Sequence, residues 1–150
     1  MPSLYELAKN IKDTRKNELV MYKSGSFYKI YGNDAYLMSY LFGYSVQKLN
    51  ENTVFCGFPL NSLGSVTNKL ENKKINYTVI DPKSENKVEE KKEFNNLNAY
   101  EAETVIAIAT LRRKNDINKI TERLNQIIDK VYFKEVIRKI EDILDENREI

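Results

Sequence analysis

The chain has 150 residues, 41% of them hydrophobic and 31% charged, with a formal net charge of +2. That is enough apolar material for one compact domain, or for a small domain with a helical appendage. No apolar run approaches the ~20 residues that span a bilayer, so no membrane partner is expected. Leu4, Leu7, Ala8 and Ile11 recur at helical spacing, and Ser3 with Glu6 makes a capping box, which predicts a helix over about 3–15. Two strands follow, Leu19–Lys23 and Ser26–Tyr31, joined by the tight Lys23-Ser24-Gly25-Ser26 turn. Asn33 or Asp34 is expected to cap a helix that runs to Phe42 and stops at Gly43. Ser45–Leu49 and Thr53–Phe58 read as strands around the polar Asn50-Glu51-Asn52 turn. A helix from Ser62 to Lys73 carries Leu63, Val66 and Leu70 on one face, and Asn76–Ile80 reads as a strand ended by Asp81-Pro82.

Residues 82–96 are charged and poor in apolar groups, which predicts a solvated linker or mobile loop. Beyond them the pattern is helical. Ala99–Arg113, with Val105-Ile106-Ala107-Ile108-Ala109, predicts a well-buried helix, and Asp116 is placed to cap the next one. Ile117, Ile120, Leu124, Ile127 and Val131 step by three and four, and Phe133, Val136, Ile140 and Ile143 continue the same seam. Two readings stay open: a helix pair bent within Lys130–Lys134, or one helix from 116 to about 147. The expected organisation is therefore a domain over 1–81, a charged linker over 82–98 and a helical tail over 99–150.

Several chemistries lack their residues. There is no histidine and one cysteine, Cys56, in an apolar context. That leaves no zinc set, no Ser-His or Cys-His nucleophile and no internal disulfide. No GxxxxGK[ST] loop is present, and no carboxylate pair falls in a catalytic motif. A non-enzymatic protein without cofactor or metal is expected. The N-terminus lacks the apolar core of a secretory signal, so a cytoplasmic location is the default. Charge is uneven: residues 1–80 hold ten Lys/Arg against six Asp/Glu, and residues 81–150 fourteen against sixteen. The first part permits a nucleic-acid partner.

The stretch Gly25-Ser26-Phe27-Tyr28-Lys29-Ile30-Tyr31, followed by Asp34-Ala35, resembles the GDFYELF-x-x-DA signature of the mismatch-recognition domain of MutS proteins. Phe55-Cys56-Gly57-Phe58-Pro59-Leu60-Asn61 resembles that family's MAGVPYH segment. Ser62–Lys73 is similar to its following helix, and Tyr77–Asp81 stands in the place of its VAICE strand. The resemblance covers residues 3–81. It implies an α/β (α+β) fold with a mixed sheet and flanking helices. It also implies that Phe27 stacks on an unpaired or mispaired base. The family's connector, lever, clamp and ATPase domains do not fit after residue 81, so the sensing domain is expected to stand alone with a helical tail.

One departure matters. The family's Glu is Lys29 here. A carboxylate accepts a hydrogen bond from a base edge, whereas an ammonium only donates. Lys29 is suited to phosphate or to base acceptors, and mismatch selectivity is expected to weaken. Lys23, Ser24 and Ser26 flank the turn within reach of phosphates, Asn61 and Ser62 sit where a helix begins, and Lys48 and Lys69 extend the basic surface. The partners expected are DNA or RNA, a larger DNA- or RNA-processing protein, and a second copy joined through the 99–150 helices. The alternative is a protein-interaction adaptor that keeps the fold without binding nucleic acid.

Overall fold

The computed structural model describes residues 3–85, 87–94 and 98–148. They form two compact units, Met1–Leu111 and Arg112–Ile150. The first unit is built on a six-stranded sheet. In chain order it comprises α1 (Leu4–Asp13), β1 (Leu19–Ser24), β2 (Phe27–Tyr31), α2 (Asn33–Phe42), β3 (Gln47–Asn50) and β4 (Thr53–Pro59). A 3₁₀ turn (Leu60–Ser62), α3 (Leu63–Asn72), β5 (Tyr77–Asp81), a second 3₁₀ turn (Pro82–Ser84) and β6 (Lys87–Lys92) follow, before α4 (Ala99–Gln126). The strand order is β3-β4-β2-β1-β5-β6. β1 and β5 run parallel and every other neighbouring pair antiparallel. The α/β class and the mixed sheet expected from the sequence are both present.

The central strands alternate between two cores, as a pleated strand must. Leu19 and Met21 of β1, Tyr28 and Ile30 of β2, and Tyr77 and Val79 of β5 pack with Ala35, Leu37, Met38 and Leu41 of α2 and with Val66 and Leu70 of α3. On the other face Val20, Tyr22 and Ile80 meet Ala8, Leu4 and Ile11 of α1. The Ser3–Glu6 capping box forms in both directions, at 3.2 and 3.0 Å. Gly43 ends α2 with φ +79°, a left-handed conformation that its missing Cβ permits.

Four expectations are corrected. The charged stretch after Pro82 is not a loop throughout: Lys87–Lys92 is an edge strand paired with β5. Its side chains are all exposed, so it carries no buried apolar face for a sequence reading to detect. Asn86 and residues 95–97 of that stretch lie outside the described residues. Secondly, α2 begins at Asn33 behind Gly32 (φ +64°), and neither Asn33 nor Asp34 caps it; Asp34 is buried and used elsewhere.

Thirdly, α4 runs unbroken through Asp116, since nothing from Ala99 to Gln126 is Gly or Pro. Its first turns bury only Tyr100, Thr104 and Ala107, leaving Val105 and Ile106 exposed. One face of that segment meets the sheet's core rather than every face. Fourthly, the single-helix alternative for 116–147 is excluded. α4 stops at Gln126, a bend of consecutive turns follows (Ile127 N to Leu124 O, 3.1 Å; Lys130 N to Ile127 O, 2.9 Å), and α5 begins at Phe133. Val131 sits in that bend, fully exposed, and leaves the seam.

Candidate nucleic-acid interface

The β1–β2 hairpin closes with Ser24 opposite Phe27, so Gly25 and Ser26 are its two connecting residues. Gly25 takes φ +62°, as the first central position of a II′-type connection requires. The turn leaves Phe27 at the head of β2, with 48% of its surface exposed. Such exposure is unusual for a phenylalanine flanked by strand partners on both sides: Ser24 of β1 and Pro59 of β4. The register explains it. Neither neighbour has a long side chain to lay across the ring.

Lys29 lies two residues along and therefore on the same face. Its direct partners are Tyr22 in β1 and Gly57 in β4. A Cβ on Gly57 would stand 3.0 Å from the Tyr28 carbonyl oxygen, so the two backbones approach closely there. With no side chain at 57, Lys29 reaches across β4, and its Nζ lies 5.8 Å from the centre of the Phe55 ring. That ring attracts the ammonium through its π face and holds it near the sheet. Phe55 in turn lies 6.4 Å from Tyr31, which contacts Tyr5 at 5.5 Å and Tyr22 at 5.9 Å. Loss of solvent pushes the Tyr31 phenol up to about 12, so it remains a neutral hydrogen-bonding group at physiological pH.

The second cluster of candidate residues comes to the same place. The Leu60 N–H donates to the Ser26 carbonyl at 3.1 Å, fastening the 3₁₀ turn to the hairpin tip. Asn61 is exposed beside it, and Ser62 is half-buried with a hydroxyl that does not cap α3. Ser24, Ser26 and Phe27 thus stand at the end of the sheet where the turn bearing Asn61 and Ser62 begins, and Lys29 lies one step further along β2 with its ammonium towards Phe55. Lys23 does not join them. It lies opposite Tyr28, on the other face, and its Nζ is 3.5 Å from Glu89. Lys48 faces the same way as its partner Val54, towards the α2–α3 side. Lys69 is spent on α2: it donates to the Leu41 carbonyl and lies 5.2 Å from the Phe42 ring centre.

Two features were invisible in the sequence. One is Phe55, whose place beneath Lys29 depends on the β2–β4 register; the Phe55–Gly57 spacing of two was the available signal. The other is a buried polar junction at Asp34. Its carboxylate is 2.9 Å from the Lys12 Nζ, accepts from the Val20 N–H at 3.2 Å, and accepts from the Tyr100 hydroxyl. Burial pushes this carboxyl up, and the Lys12 ammonium and the donated hydrogen bonds pull it back. The Asp-Ala pair of the signature is therefore a structural tie between α1, β1, α2 and the start of α4. Cys56, on the far side of β4 from Phe55, is buried, and loss of solvent pushes its thiol up to about 12. Such a thiol is a small core hydrophobe, not a nucleophile.

Among the described residues no group of three or more Cys, Asp or Glu side chains is arranged to hold a metal ion. No described helix is long and apolar enough to cross a membrane. The family model described as MutS domain I matches residues 4–121. That span contains the whole sheet and the corner just described. No curated protein matches the chain.

Proposed function

The chain belongs to the MutS domain I family, the mismatch-recognition domain, and from that premise we propose that it is a non-catalytic accessory module binding distorted or single-stranded DNA. In this role it serves a larger DNA- or RNA-processing protein. Family membership supports a DNA-binding role in general. The observation that carries the finer reading is Phe27: a half-exposed aromatic ring at a hairpin tip, with a lysine on the same face. Base–aromatic stacking contributes about 1–3 kcal/mol and tolerates any base, because every base has a π face. Inserting the ring costs least where the strand is already unstacked, which favours bulges, flaps and single strands over intact duplex.

Lys29 changes what the site selects. An ammonium donates to phosphate or to purine N7 and O6 but gives no acceptor to a base edge. Phosphate contact adds affinity without sequence information and makes binding salt-dependent. Preference for unstacked DNA therefore replaces recognition of a particular mispair.

Fluorescence anisotropy with labelled single-stranded, matched-duplex and mismatched-duplex DNA, at low and moderate salt, tests this. The expected outcome is affinity that falls with salt, favours unstacked DNA, and drops about 5- to 150-fold in Phe27→Ala, the equivalent of one lost stacking contact. Absence of binding to any of these, and to RNA, would sink the proposal in favour of the protein-interaction adaptor.

A further inference from the structure

The second unit, Arg112–Ile150, comprises the later turns of α4 and all of α5. None of its described residues is buried. The best-covered apolar side chains, Leu124, Ile127, Phe133, Val136, Ile137 and Ile140, reach only half-burial. Around them Ile117, Ile120, Ile143 and Leu144 stand 63%, 48%, 58% and 65% exposed. A groove of about 360 Å³ opens between the two helices, floored by Ile120, Leu124, Val136 and Ile140. Two helices of this length with no buried residue do not offset their ordering cost alone. The apolar seam needs a further layer.

The charges indicate which layer fits. Residues 112–126 of α4 carry five Lys/Arg and two Asp/Glu; α5 carries three Lys/Arg and five Asp/Glu. The ion pairs of this unit join Arg138 to Glu135 and Asp142, and Arg148 to Asp145. All of them lie in α5 or just past its end. Among the described residues no ion pair reaches this part of α4, so its net charge of +3 stands against the −2 of α5 beside the same apolar groove.

We propose that the α4–α5 hairpin is a self-association surface occupied by a second copy of this chain. The two hairpins pack about a two-fold axis as a four-helix bundle, with α4 of each against α5 of the other. That arrangement buries Ile120 and Ile143 and sets basic α4 against acidic α5 twice. A two-fold interface satisfies both pairings with one surface, because each hairpin carries both signs.

Sedimentation equilibrium of the full chain tests this between about 1 and 100 μM, the range in which a modest helical interface populates its dimer. The expected mass is twice 17.6 kDa, falling to one chain in Ile120→Glu and in Ile143→Glu. Both residues are half-exposed or more within a single chain, so the substitutions remove no core of the single chain, and any helix lost by circular dichroism measures what the second copy supplies. A complementary pair keeps the test decisive if those variants lose helix. One variant carries Arg113→Glu, Lys119→Glu and Arg123→Glu; the other carries Glu141→Lys, Asp142→Lys and Glu146→Lys. Each alone should be a monomer, and an equimolar mixture should recover the dimer. A single-chain mass for the unaltered protein across the range overturns the proposal, and leaves the surface to a different partner. So does a dimer that survives every substitution. Phe27→Ala should leave the mass unchanged, which separates failure here from failure of the DNA-binding reading.

Discussion

At the residue scale the chemistry of the corner turns on what Gly57 leaves out. Its empty position lets Lys29 lie over Phe55 rather than extend into solvent. The ammonium is then drawn towards the Tyr31 end of β2, with Phe27 at the other end of the same strand face. The Lys29→Glu variant should restore an acceptor and remove a cation. Its affinity for single strands should fall and its salt dependence flatten by about one released counterion. The ratio of mismatched to matched duplex binding should rise. Titration of the three DNAs at two salt concentrations checks all three effects; an unchanged ratio would mean that position 29 does not touch a base. Phe27 and Lys29 were legible in the sequence because alternation and turn chemistry are local. Phe55 was not, because its partner is chosen by a pairing 26 residues away in the chain.

At the scale of elements, local signals set boundaries well and tertiary ones decide roles. Ser3 and Gly43 do what their types predict. Asp34 has the sequence of a cap but is drawn inwards, where it ties α1, β1, α2 and α4 together. Replacing one of its acceptor oxygens should therefore cost much more than a lost cap. Asp34→Asn turns an amide N–H towards groups that all donate, from Lys12, Val20 and Tyr100, and a loss of about 3 kcal/mol at neutral pH is expected from urea unfolding. The pH dependence has a definite sign. The carboxyl is shifted up in the folded state, so its linkage favours folding below the unfolded-state value near 4 and is lost as pH rises through the folded value. The stability gap between the native chain and Asp34→Asn should widen on acidification through that window. A gap that narrows instead would show that Lys12 dominates burial. β6 escaped the sequence reading for a related reason. An edge strand with every side chain in water has no apolar alternation to display.

For the whole molecule, the division into units falls inside α4, after Leu111 rather than at the helix's start. Composition marked residues 82–98 as a divide, but Tyr100 and Ala107 belong to the sheet's own core. Fragments should reveal this. A chain ending at 111 keeps the Tyr100–Asp34 hydrogen bond and should unfold cooperatively and retain DNA binding. A chain ending at 96 lacks Tyr100 and should melt lower, by about 4–8 °C per kcal/mol lost. Equal melting of the two fragments would show that the start of α4 adds nothing to the sheet.

The bond from the Leu60 amide to Ser26 carries a mechanical implication. The ring-bearing tip is tied through it to the turn that follows β4. Any force a nucleic acid exerts on Phe27 is shared with the segment that leads into α3, whose Val66 and Leu70 are anchored in the core. Stiffness at the contact point is thus borrowed from the interior, and a strand that yields more readily than this corner is the one that deforms.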